Sequence, residues 1–151
     1  MKKQVLFIVL LFSIVGNAIA QSVVQNETTK VFEYANIKEF TGDTKARIDL
    51  FANKFKELNY SNISSSENDI KGESFFTKII MGTSMEVHYQ VFIQFKENKY
   101  KIIINKFVIK DQRYGATPIE NISKSSQKRW LEYINENLPT IIKNIESTET
   151  W

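Results

Sequence analysis

SMEVHYQVFIQFKENKYKIIINKFVIK, residues 84–110, decides the fold. Met85, Val87, Tyr89, Val91, Ile93 and Phe95 alternate with Glu86, His88, Gln90, Phe92, Gln94 and Lys96. A period of two over a dozen residues is the pattern of a half-buried strand. Four polar residues, Lys96 to Lys99, break it, and an apolar, β-branched run follows from Tyr100 to Ile109. The pair reads as a long antiparallel hairpin turning at Glu97 and Asn98, with Asn98 as the residue able to take a left-handed conformation. That turn sets Phe95 opposite Tyr100, Ile93 opposite Ile102, Val91 opposite Ile104 and Val87 opposite Val108. This is the expected core face, interrupted only by Lys106 opposite Tyr89. The other face is expected to mix His88, Gln90, Gln94, Lys101 and Asn105 with Phe92, Ile103, Phe107 and Ile109.

Working outward, residues 31–37 (VFEYANI) read as a short strand of ambiguous phase. Asp43 is a helix N-cap, and Ile48, Phe51, Phe55 and Leu58 recur at helical spacing behind it. Residues 59–68 (NYSNISSSEN) read as a polar loop. Residues 69–80 (DIKGESFFTKII) form another strand, in which Gly72 marks a bulge or a close backbone approach. Residues 111–121 read as a loop, long enough to fold over an edge. Ser123 to Ser126 cap a final helix carrying Trp130, Leu131, Ile134, Leu138, Ile141, Ile142 and Ile145. Pro139 implies a kink in that helix or a junction between two. The order β-α-β-β-β-α gives an α+β layer: an antiparallel sheet of about four strands with two helices on one face.

The ends divide the chain further. Residues 1–20 read as a secretory signal: Lys2 and Lys3, an apolar run from Val5 to Val15, then Ala18-Ile19-Ala20. Cleavage leaves 131 of the 151 residues: a leader at 21–30 expected to be flexible, one domain at 31–146 and a frayed tail at 147–151. It also leaves 18 basic against 17 acidic residues, a balance of +1. Near-neutrality argues against nucleic-acid binding. With no cysteine there is no disulfide, thiol chemistry or acylated-cysteine anchor. After cleavage no stretch is long enough to span a membrane. The expected location is periplasmic or extracellular, without a lipid anchor.

The chain resembles a bacterial exported domain family of unknown function with a TATA-binding-protein-like (TBP-like) fold. The resemblance is carried by Gln21 directly after the signal, the strand at 31–37, FKELNY, IKGES, FKENKYKI and KRWLEYI, and it spans most of residues 28–145. Asn98 stands where members often carry glycine, and Pro139 departs from their pattern. The resemblance implies a curved sheet with helices on its convex side and export in a Gram-negative cell. It brings no activity and no catalytic residues.

Chemistry is sparse. His88 is the only histidine, so no histidine or thiolate metal site is expected, and no cofactor motif is present. Glu86 and His88 share a strand face and could serve a small exported hydrolase. The favoured reading is an exported, non-enzymatic binding module using the uncovered sheet face. Phe92, Ile103, Phe107 and Ile109, rimmed by His88, Gln90, Gln94, Lys101 and Asn105, would take a protein, a peptide, an apolar ligand or a second copy of the chain.

Overall fold

The computed structural model describes residues 22–147. Seven antiparallel strands form the sheet: β1 (Val24–Gln25), β2 (Phe32–Glu39), β3 (Ser61–Ser65), β4 (Asp69–Ile80), β5 (Thr83–Lys96), β6 (Lys99–Asp111) and β7 (Gly115–Pro118). Their order is β1-β2-β6-β5-β4-β3, with β7 also paired to β6. Helices α1 (Thr44–Glu57) and α2 (Lys124–Glu146) lie on one face. The α+β class and the two helices match expectation; the count of about four strands does not.

The extra strands form where the sequence looks like loop. Residues expected to be a flexible leader instead make β1 and a turn. Asn26 Oδ1 accepts from the backbone N–H of Thr28 and of Thr29, and Lys30 takes the left-handed conformation. Val23 is buried, and its N–H donates to Asn135 of α2. The serine-rich stretch becomes β3, an edge strand held to β4 by its backbone. Residues 115–118 add to β6 as β7 through the three-residue loop 112–114, with left-handed Gly115 opening the strand. Residues 1–20 and 148–151, assigned above to signal and tail, lie outside the described residues.

The central hairpin keeps the expected register near its turn: Phe95↔Tyr100, Ile93↔Ile102 and Val91↔Ile104. The left-handed turn residue is Glu97, not Asn98. Further along, a bulge intervenes. His88 pairs with Val108 and Gln90 with Asn105, so Tyr89 alone faces two residues, Lys106 and Phe107. Lys106 sits at φ 55 and turns its side chain to solvent. The extra residue reverses the facing of all that follows it on β6. Val87 therefore pairs with Ile109 rather than Val108.

The phase of β2 is settled by Phe32 and Tyr34, which are buried. Asp43 caps α1 by accepting from Ala46 N–H at 2.9 Å, and Ile48, Phe51 and Phe55 face the sheet. Gly72 is a close approach rather than a bulge: a Cβ built there would lie 2.8 Å from a Phe55 ring carbon. Helix α2 is capped by Ser123 and runs continuously through Pro139, whose ring is on the exposed side. It crosses the sheet obliquely. Near its middle Lys78 of β4 stands over the Tyr133 ring at 4.1 Å; at its end Glu146 receives Lys38 of β2 and the Tyr100 hydroxyl. The core between the layers is one cluster, and among the described residues no polar or charged residue is buried in it.

Candidate functional site

The sheet face opposite the helices is the surface that the fold leaves over. Cross-strand pairing fixes its rows. One row is Ala35, Ile103, Phe92 and Lys71, on β2, β6, β5 and β4. Next to it lie Asn105, Gln90 and Glu73, then Pro118, Val108, His88 and Phe75. On the other side lie Ile37, Lys101, Gln94 and Asp69.

Seven of the nine residues expected on this face are there. Phe92 and Ile103 are directly paired and half-buried. His88 and Gln90 line a hollow of about 440 Å³ together with Glu73, Phe75, Lys106 and Val108. Gln94 and Lys101 line a second hollow of about 410 Å³ that includes Ile37. Asn105 lies between them, and its side-chain oxygen is buried without a hydrogen-bond partner among the described residues. Phe107 and Ile109 are not on this face. Both are buried in the core, Phe107 at 0% exposure, because the Lys106 bulge turns them inward.

The apolar residues missed by sequence reasoning are Ala35, Ile37, Phe75 and Val108. The signal for Phe75 was present. Ile70 and Gly72 face the helices, so the odd positions of β4 point the other way. Val108 could not be placed without the bulge.

Glu86 and His88 meet: His88 Nε2 lies 2.6 Å from Glu86 Oε2, and the imidazole stacks on Phe75 with centroids 5.0 Å apart. The pair fixes the ring's orientation. Nucleophilic hydrolysis would also need a hydroxyl or water activated by that ring. Among the described residues the hydrogen bonds of His88 lead to Glu86 alone. Beneath the face, the Tyr60 and Tyr89 hydroxyls are 3.4 Å apart. Burial pushes both phenols above their ordinary value, and Tyr89 adds to the rise at Tyr60.

An antiparallel sheet with both helices on one side and an open opposite face defines a two-layer α+β protein. Two solved structures share this fold. A TBP-like protein from Parabacteroides distasonis matches with a TM-score of 0.60 at 15% identity, over 78% of this chain and 92% of that one. A DUF4468 family protein from Bacteroides ovatus matches with a TM-score of 0.60 at 11% identity, over 86% and 91%. The chain is thus similar in fold to bacterial TBP-like and unknown-function domains. No protein-family model and no curated protein matches its sequence.

Proposed function

We propose that the chain is a non-enzymatic binding module, exported after loss of residues 1–20, that engages its partner through the sheet face opposite the helices. One observation carries this reading. Ala35, Ile37, Phe92 and Ile103 stand together, half-buried, on a face that none of the described elements covers, with half-buried Val108 and half-exposed Phe75 beyond the row of Asn105, Gln90 and Glu73. Contiguous apolar side chains on an open face, rimmed by polar residues, are the pattern of an interaction surface. The polar groups around them, Gln90, Gln94 and Asn105, supply orientation.

The test is a Phe92→Ser, Ile103→Ser double variant, followed by sedimentation velocity with and without envelope extract. The expected result is a complex formed by the unaltered protein and lost in the variant, with a thermal midpoint lowered by only a few degrees. Equal complex formation by both proteins, or a collapse of the variant's fold, removes this face from the function.

A further inference from the structure

Hydrogen bonds fix which way each backbone group of β2 points. β5 runs along one side of β6, so β2 and β7 share the other. Phe32 N–H donates to Glu120 Oε1 just after β7, and Phe40 N–H to Asn98 O at the head of β6. Even-numbered residues of β2 therefore bond towards β6, because successive residues of a strand bond to opposite sides. Odd-numbered ones point away: Val31 O accepts from Asn26 N–H, and Glu33 pairs with Val24 of β1. Beyond Glu33 the cover stops. The chain before β1 turns under α2, where Val23 is buried and bonded to Asn135. Ala35, Ile37 and Glu39 are left with outward N–H and C=O groups that have no partner among the described residues.

The sheet's other edges are blunted. β3 is polar, carries a register shift and holds Asn62 left-handed at φ 51. β7 has four residues and ends in Pro118, and β1 has two. Such devices stop sheets from pairing edge to edge. The β2 edge has none of them. Its ladder with β6 runs unbroken from Tyr34 to Glu39, and its one lysine, Lys38, is held by Glu146 of α2.

We propose that this edge seats a second copy of the chain, joined antiparallel through β2 about a two-fold axis at Ile37. Pairing centred there sets Ile37 opposite Ile37 of the second copy, and Ala35 and Glu39 opposite each other. Each of these pairs exchanges both of its N–H···O bonds, so every free group on the edge is used. The second β2 ends opposite Ala35 and stops short of β1. Asn36 falls opposite Lys38, and no like charges stand directly opposite each other. A second copy brings the matching groups at the same spacing on a strand already formed, so it loses less freedom on pairing than an extended peptide would. An edge paired with itself is spent on both copies, and the blunted edges end the assembly as a closed dimer rather than a filament. This contact goes beyond the sheet-face reading and does not depend on it: Phe92 and Ile103 stay uncovered.

The experiment is sedimentation velocity of protein lacking residues 1–20, without extract, across a wide concentration range; the whole described fold lies beyond that segment. A monomer–dimer equilibrium is expected, with amide exchange at Ala35, Ile37 and Glu39 slowing as dimer accumulates. Ile37→Pro removes the central donor of each copy and leaves the β6 ladder intact, since that N–H points outward. It is expected to weaken the dimer at least about tenfold. Ile37→Glu keeps the donor and finds Lys101 beside it on β6, but sets two carboxylates opposite each other across the axis. It is expected to weaken the dimer likewise, and it decides the matter should the proline variant unfold. The Phe92→Ser, Ile103→Ser variant is expected to dimerise as the unaltered protein does, which separates an edge contact from one made face to face. Three outcomes overturn the proposal: a monomer at every concentration, a dimer that Ile37→Glu does not weaken, or a dimer lost in the Phe92→Ser, Ile103→Ser variant. A monomer that still forms a Phe92-dependent complex with envelope extract would sink the dimer and leave the sheet-face reading standing.

Discussion

Gly72 sits where α1 crosses β4, and its missing side chain lets the two layers meet. A methyl group there would stand 2.8 Å from Phe55 Cδ2 and 3.1 Å from the Tyr60 ring, and those rings are themselves stacked with centroids 4.6 Å apart. Neither can move alone. Gly72→Ala is therefore expected to destabilise the fold by roughly 1–3 kcal/mol, the usual range for overpacking a filled core. Urea denaturation should show a lower midpoint at unchanged slope; a midpoint at or above that of the unaltered protein would mean that the rings yield freely. At this scale the sequence was informative for some residues and not for others. Asp43 and Ser123 are caps where their chemistry places them. Gly72 carried its close approach in its position within an apolar strand. The hairpin turn was less readable. Asn98 is the residue that tolerates positive φ more easily, yet Glu97 takes it, because the turn adopted needs the left-handed conformation at its first central position.

Among the elements, the Lys106 bulge does most to shape the candidate surface. Alternation along β5 was legible because that strand is regular and faces the core with every second residue. Along β6 the same rule fails halfway. A lysine falling on the core face was the trace of the bulge, since a charge there costs far more than one unpaired backbone position. Reading it as an interruption kept Phe107 and Ile109 in phase with the open face, and the error passed straight into the candidate site. The short strands β1, β3 and β7 were illegible for another reason: two to five residues each, mostly exposed, they follow a template that other strands provide. Two variants separate residue identity from residue count at the bulge. Lys106→Gly relieves a left-handed non-glycine position and is expected to leave stability unchanged or raise it by about 0.5–1 kcal/mol. Deleting Lys106 forces Phe107 and Ile109 outward or breaks the ladder, and is expected to cost about 3–5 kcal/mol or more, on the scale of emptying a buried phenylalanine site. Denaturant unfolding of both would decide it; a deletion variant as stable as the unaltered chain would show that the bulge does not hold the facing.

The whole molecule has no cysteine, and its core holds apolar side chains and tyrosines. Stability therefore rests on packing, and its pH dependence at the alkaline end rests on those phenols. Burial is the largest cause holding Tyr60, Tyr89 and Tyr100 above the ordinary phenol value; at Tyr100 the Glu146 carboxylate adds to it, and the group is pushed up to about 12. An unfolded tyrosine titrates near about 10. Above that value the unfolded chain gives up protons that the native protein keeps, so the native state binds more protons and stability falls as pH rises. The contribution is fully present below about pH 10 and is lost as the pH climbs through the folded value, by up to about 1.4 kcal/mol per pH unit for each tyrosine still protonated. Lysines titrate in the same range, so the comparison that isolates the phenol is Tyr100→Phe. Urea unfolding from about pH 8 to pH 12, followed alongside tyrosinate absorbance, should show stability falling more gently in Tyr100→Phe than in the unaltered protein between about pH 10 and 12. The same variant removes the Tyr100 hydroxyl's bond to Glu146. It should therefore begin from a slightly lower stability at neutral pH, and the two curves should converge as the pH rises. Parallel curves would mean that Tyr100 releases its proton as readily folded as unfolded, and that the end of α2 does not close over it.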